Sequence, residues 1–202
     1  GPLTIIPVFK TVSYDVERDV VPLSTVWRSA QVLAVRPLLG IKTVAEFVAY
    51  AKANPNKLTI GSAGVGAVTH LAIEVLKRES TIDVVHVPFR STSESMPQLI
   101  GGQIDGVCDS AASIAPSIQG GLTNGIALAM PQRLRSLPNV PTTIEASLPE
   151  FQLQGWNSLF APKGTPEAVI AKLNVALRKG VANEGYQRRL DELGSLPPSD
   201  EE

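Results

Sequence analysis

The chain has 202 residues, 44% hydrophobic and 18% charged, with 16 Gly, 16 Pro, one Cys and a formal net charge of −1. That length and apolar share suffice for a buried core and exclude a disordered chain, and the near-neutral charge leaves no footprint for nucleic acid or an anionic membrane. A lone cysteine, Cys108, excludes an intramolecular disulfide, and with His70 and His86 the only histidines a metal centre is not expected.

No run approaches the roughly 18 apolar residues of a membrane span, and no basic segment followed by an apolar one opens the chain. The start, Gly1-Pro2-Leu3-Thr4, reads as an interior segment or a tag remnant, so it carries no information on compartment. Residues 20–27 and 31–35 predict two closely linked strands. Thr43 to Glu46 fits a capping box, and Val44, Phe47, Val48 and Ala51 continue it as a helical stripe ending near Asn54-Pro55. A strand at 58–60 leads into the small-residue loop Gly61-Ser62-Ala63-Gly64-Val65-Gly66, then a helix from about Val68 to Arg78.

Val84–Val87 predicts a strand stopped by Pro88. A helix around Ser95–Ile100 ends at Gly101-Gly102, a pair able to supply a left-handed cap. Ile104–Cys108 predicts a strand, Ile114–Gln119 a short helix, Gly125–Met130 a strand and Trp156–Ala161 another. Thr165-Pro166-Glu167 opens a helix with Thr as cap and Pro at the first position, its Val169, Ile170, Leu173 and Leu177 forming a buried stripe. A last helix near Glu184–Leu193 ends at Gly194, and residues 197–202 read as a solvated tail. Strands alternating with helices predict an α/β fold with a mainly parallel sheet.

The strand, small-residue loop and helix at 58–78 carry the most chemistry. Small residues let backbone N–H groups approach a ligand, and a helix N-terminus adds positive potential, a combination suited to a carboxylate or phosphate. A tight strand-to-helix turn is the competing reading. The spacing fits neither a P-loop nor a dinucleotide fingerprint, and Ser62 lacks the G-x-S-x-G context of a nucleophile elbow. His70, in the first turns of the helix, either bonds the loop or contacts a ligand. Asp109, directly after its strand, sits where strand carboxyl ends face a crevice: it either caps the next helix or accepts from a ligand hydroxyl or ammonium. Arg90, beyond its own strand at the same end, either clamps a carboxylate or is solvated. Cys108, Met96 and Met130 read as core.

These blocks, in this order, resemble the periplasmic substrate-binding proteins of tripartite tricarboxylate transporters, the Bug-type or TctC-like family. The matching residues are Ser13 to Asp19, Lys42-Thr43-Val44, Tyr50 to Pro55, Gly61-Ser62-Ala63-Gly64 with Thr69-His70-Leu71-Ala72, and Val85 to Arg90. Leu99 to Asp105, Leu137 to Thr142 and Trp156 to Pro166 follow, so the match spans most of the chain.

The resemblance implies an α/β, type II periplasmic-binding-protein-like fold whose two lobes close on a small organic carboxylate, without catalysis. It implies that Ser62, Ala63, Gly64, Val65 and Gly66 offer donors to that carboxylate and that Asp109 lies at the cleft. One lobe is expected at 31–155, nearly complete. The other, at 1–30 plus 156–202, is expected to be partial, with hinge crossings near Arg28–Val32 and Gly155–Leu159. Family members carry a further βα-rich segment before the region matching Ile6 and a helix beyond the matching end, so the chain reads as a fragment or shortened member. Ser91-Thr92-Ser93-Glu94 replaces the Gly-rich turn usual after the proline-aromatic pair.

The resemblance also implies membrane transporter subunits as partners and a periplasmic location. A homodimer through the incomplete lobe is expected as well. Two other readings stand beside it: a ligand-sensing regulatory domain of the same fold, which a helix-turn-helix segment in the unabridged gene would mark, and an anion-binding α/β enzyme, which would need a nucleophile and base in mutual geometry.

Overall fold

Val20–Val35 is extended throughout and forms one 16-residue strand, β1, where the sequence predicts two. In the computed structural model, which describes residues 2–198, β1 is preceded by two helices that the sequence reading does not include, α1 (Pro2–Phe9) and α2 (Val16–Asp19). It is followed by α3 (Val44–Ala53), β2 (Thr59–Ser62), α4 (Val68–Ser80), β3 (Val85–Pro88), α5 (Thr92–Ile100) and β4 (Gly106–Ser110). Then come α6 (Ala111–Gln119), β5 (Asn124–Leu128), β6 (Gln154–Pro162), α7 (Glu167–Val181), α8 (Glu184–Glu192) and the short β7 (Ser195–Leu196). Ser199–Glu202 of the expected tail, and Gly1, lie outside the described residues.

The two halves of β1 have different partners. Residues 31–35 pair with β4 on one side and residues 32–35 with β5 on the other, within the order β3-β2-β4-β1-β5. Residues 20–30 pair with β6, and Arg28 and Ser29 also pair with β7. The expected mainly parallel sheet is corrected here: β2 is parallel to β3 and β4, but β1 is antiparallel to every strand it meets. Only the β2, β3 and β4 trio has the helical crossovers that parallel pairing requires.

Period-two alternation splits β1 between two cores. Leu33 and Val35 join Phe47 of α3, Ile60 of β2, Ile73 and Leu76 of α4, Cys108 and Phe151 on one face. Val32 and Ala34 join Val107, Leu99 of α5, Ile114 of α6, Leu128 and Leu137 on the other. Each such side chain, fully removed from water, contributes about 1.5–3 kcal/mol. Cys108 and Met130 are buried and Met96 packs against the second core, as expected.

The capping box forms as read: Thr43 Oγ1 accepts the Glu46 amide, and the Glu46 carboxylate accepts the amides of Lys42 and Thr43. Of the glycine pair after α5, Gly102 takes the left-handed conformation, at φ +75°. Around α7 the sequence reading fails twice. Thr165 does not cap the helix, because its hydroxyl donates to the Pro162 carbonyl and Pro166 takes the cap position. The stripe is not buried either: Val169 and Leu173 are 45% and 40% exposed, and Ile170 and Leu177 are only half-buried. Helical spacing aligns apolar residues on one face, but burial needs a surface opposite, which the described elements supply only in part.

Candidate functional site

The three parallel strands end at one edge, and there the predicted residues lie. Ser62 closes β2, Pro88 closes β3 in register with it, and Asp109 is the penultimate residue of β4. The strands extend slightly further than the sequence suggests, so Ser62 and Asp109 are strand residues with buried side chains rather than loop residues. Alternation sends them to opposite faces. Ser62 shares the face of Ile60, under α4, whereas Asp109 shares the face of Val107, under α5.

Between β2 and α4 the chain turns through Gly64 at φ +113° and Gly66 at φ +79°. The Gly64 conformation is one that only glycine adopts readily, and a Cβ there would meet the Phe89 carbonyl at 3.1 Å. The turn is tied internally at nearly every step. Ala63 N–H donates to Thr69 Oγ1 at 3.0 Å, Gly64 N–H to Ser62 Oγ at 3.1 Å, and Gly66 N–H to His70 Nδ1 at 3.2 Å. Ala67 N–H closes onto the Gly64 carbonyl at 3.2 Å. Val65 is exposed at the tip, and α4 begins without a side-chain cap. A hydroxyl, several amides and an uncapped helix N-terminus thus lie on one short segment, the group types an anion site uses, with the amides of Ala63, Gly64, Gly66 and Ala67 engaged within the turn.

His70 bonds the loop, as one of its two readings holds, and stacks on His86 with ring centroids 4.1 Å apart. His86 Nε2 lies 2.6 Å from Ser62 Oγ. That contact does not make Ser62 a nucleophile. Its hydroxyl is buried and accepts the Gly64 amide, and no carboxylate bonds His86 among the described residues. Burial, with His70 alongside, holds the His86 imidazole below its ordinary value.

Arg90 and Asp109 gather instead around the start of α5. Arg90 is exposed, and its amide donates to the Glu94 carboxylate at 3.0 Å. Asp109 Oδ2 accepts the Thr92 hydroxyl, and Oδ1 accepts the Ser110 amide at 2.7 Å. Burial pushes the Asp109 carboxyl above the usual range, partly offset by those two bonds. The structure therefore brings Ser62 to Gly66 and His70 into one hydrogen-bonded unit, and sets Arg90 and Asp109 beside a second helix start on the same edge.

Sequence reasoning did not pick out Thr69, His86 or Thr92 as partners in this site. Thr69 follows the loop by one turn and was open to local inspection. His86 and Thr92 meet Ser62 and Asp109 across strand and helix boundaries, where sequence offers only the strand alternation.

The model of the TctC family, described as the tripartite tricarboxylate transporter family receptor, matches residues 1–199. The chain is 33% identical over 187 residues to a protein of Pseudomonas sp. (strain P51), the UPF0065 protein in the tcbD-tcbE intergenic region, covering 92% of this chain and 56% of that one. Among solved structures, MatC from Rhodopseudomonas palustris with bound malate superposes with a TM-score of 0.85 at 32% identity, over 97% of this chain and 67% of that one. R. palustris Rpa4515 with adipate gives a TM-score of 0.88 at 25% identity, over 94% and 63%. The chain spans little more than half the length of its Pseudomonas relative.

Proposed function

The chain belongs to the TctC family of tripartite tricarboxylate transporter receptors, and from that premise we propose that it is a solute-binding protein that captures a small organic carboxylate without transforming it. The observation that carries this reading is the loop Ser62–Gly66, whose donors sit at the uncapped start of α4 on the carboxyl edge of the parallel strands. Malate and adipate in the two superposed relatives favour the same ligand class.

In this proposal the carboxylate lies against Ser62, Ala63, Gly64, Val65 and Gly66, with His70 holding the loop from behind. Arg90 offers its guanidinium to a second acidic group. Asp109 disfavours a bare anion beside it and accepts from a ligand hydroxyl or ammonium. The ligand is held between a lobe at 31–155 and one formed by 1–30 with 156–202, β1 and β6 crossing between them. The protein works in the periplasm and hands its ligand to membrane transporter subunits. Among the described residues no helix is long and apolar enough to cross a membrane.

A thermal-shift screen over mono-, di- and tricarboxylates tests the binding reading. A ligand present at 100 times its Kd stabilises the native state by about 2.7 kcal/mol, which for a chain of this size raises Tm by roughly 5–10 °C. A panel that moves Tm nowhere, with no heat in calorimetry, refutes it.

A further inference from the structure

Two imidazoles lie face to face behind the loop, and each gives one ring nitrogen to it. His70 Nδ1 accepts the Gly66 amide at 3.2 Å, and His86 Nε2 lies 2.6 Å from Ser62 Oγ. Because His70 Nδ1 is an acceptor, the neutral ring carries its hydrogen on Nε2, on the side of Glu74 Oε1 at 3.8 Å. Ser62 Oγ accepts the Gly64 amide at 3.1 Å, and its own hydrogen has two acceptors in reach, His86 Nε2 at 2.6 Å and the Gly64 carbonyl at 3.5 Å; the shorter contact assigns the hydrogen to neutral His86 in the tautomer bare at Nε2. In this state the Ser62 hydroxyl and the amides of Gly64 and Gly66 are all engaged within the protein.

We propose that one proton from solvent, taken up by the stacked pair His70 and His86, turns loop donors outward, so that the loop captures a carboxylate and a proton together. With the proton on His86, Nε2–H donates to Ser62 Oγ and the hydroxyl hydrogen is released toward a ligand oxygen. With the proton on His70, Nδ1 can no longer accept, and the Gly66 amide is released instead. Either placement frees one donor and sets a positive charge behind the loop. The rings are stacked with centroids 4.1 Å apart, so two imidazolium charges repel and one proton serves the pair.

The charged groups facing His86 are His70, Glu74 and Lys77, all from α4: Glu74 favours the imidazolium, while burial, His70 and Lys77 oppose it. Lys77 is itself held by Glu74 at 3.1 Å. This balance keeps His86 neutral near neutral pH until a carboxylate supplies the missing counter-charge. The inference rests on the carboxylate reading above and adds its regulation by pH.

Two measurements on the unmodified chain test it. In ligand-free protein followed by nuclear magnetic resonance from about pH 8 to about pH 5, a loop amide shift is expected to follow the imidazole titration with the same midpoint, Gly66 reporting a proton on His70 and Gly64, through Ser62, a proton on His86. Gly64 and Gly66 amides that both ignore the rings overturn the inference. In calorimetry of a carboxylate panel that includes malate and adipate, run in buffers of different ionisation enthalpy, uptake approaching one proton per ligand is expected. Affinity should then fall by about tenfold per pH unit where the pair is neutral. The double variant His70→Gln with His86→Gln is expected to bind with an affinity that no longer depends on pH across that range. Binding without proton uptake overturns the inference and leaves the carboxylate reading standing. Absence of binding for the whole panel at every pH overturns that reading and the inference with it.

Discussion

Gly64 is the position where fold and binding can be perturbed together and the two effects separated. Its φ of +113° lies outside the left-handed helical well that Asn or Asp tolerates. A side chain there also brings Cβ to 3.1 Å from the Phe89 carbonyl, a backbone atom that cannot swing aside. The conformational term costs about 1–3 kcal/mol and the forced contact a comparable amount when the loop cannot relax fully, so Gly64→Ala should lose roughly 2–4 kcal/mol. At about 2–4 °C per kcal/mol for a chain of this length, Tm should fall by roughly 4–16 °C.

Gly40 provides the control. It has φ +73° and ψ 0°, with nothing within 4 Å of its Cβ position, so Gly40→Ala carries only the left-handed penalty of about 1 kcal/mol. Thermal unfolding of both variants isolates the Phe89 contact. Calorimetry of Gly64→Leu, with folding verified by circular dichroism, then reads the obstruction of the loop, with carboxylate affinity reduced about tenfold or more as the backbone is displaced. Equal losses in the two alanine variants would remove the steric argument. A folded Gly64→Leu that binds as tightly as the parent would remove the loop from the site.

Asp105 joins three strands at the end of the sheet opposite the loop, its Oδ1 accepting Arg36 Nε and Nη2 at 2.9 and 2.8 Å and its Oδ2 the Thr59 amide and hydroxyl, both at 2.9 Å. Asp105→Ala leaves the partly buried Arg36 guanidinium and the Thr59 amide without their acceptor and should cost about 2 kcal/mol in urea unfolding; a loss under about 0.5 kcal/mol contradicts that account. Asp109→Asn should change the ranking of acids rather than weaken all of them by one factor, which affinities for hydroxy, amino and unsubstituted dicarboxylates will decide. Burial raises the Asp109 carboxyl above its ordinary value, so the folded state holds that proton more tightly than the unfolded chain, and ionisation costs stability as pH rises. The stability of Asp109→Asn relative to the parent should accordingly grow as pH rises above the ordinary carboxylate range, as thermal scans will reveal. The partly covered α7 face that carries Val169 and Leu173 should drive a homodimer at micromolar concentration; a monodisperse monomer in sedimentation, with β1 and β6 protected from hydrogen exchange, refutes it.

How far the sequence led depended on how local each decision was. The Thr43 and Glu46 box, the Gly102 turn and the small-residue loop are settled within a few residues; the first two are found where they were read, and the loop begins two residues later, after Ser62. The continuity of β1 was not legible, because the polar Arg28-Ser29 step resembles a break. What keeps the strand extended there is pairing with β6, more than 120 residues away in sequence. The α7 stripe shows the complementary failure, since spacing identifies an apolar face but not whether another element covers it. The contact of His86 with Ser62 is a fact of register: Ile60 pairs with His86, Ser62 with Pro88, and the shared parity turns both polar side chains to α4. Sequence could mark Ser62 as small and His70 as near, yet it could not show that His70 stacks on His86 and that His86 reaches Ser62.

The direction of β1 links the candidate site to the rest of the molecule. Since β1 is antiparallel to β4, it passes the carboxyl edge of the parallel trio at Gln31, beside Ser110, and leaves that edge as the strand that pairs with β6 and β7. The crossing is tight. A Cβ on Gly155 would sit 2.7 Å from Ser29 Oγ, and Gln31 is buried there with its amide oxygen lacking a partner. A buried acceptor without a donor costs about 1–3 kcal/mol, and such groups are uncommon enough in native proteins to call for an explanation. The one found here stands where the strand that borders the proposed binding edge changes its pairing partners, a position that would feel any rotation between the two sets of strands. Apolar packing fixes β1 firmly from Val32 onward, whereas residues 20–28 are only partly covered. The two-lobed proposal puts its hinge at residues 28–31 and their β6 neighbours, where Ser29, Ala30 and Gln31 are buried and the strand exchanges β6 for β4 as its partner.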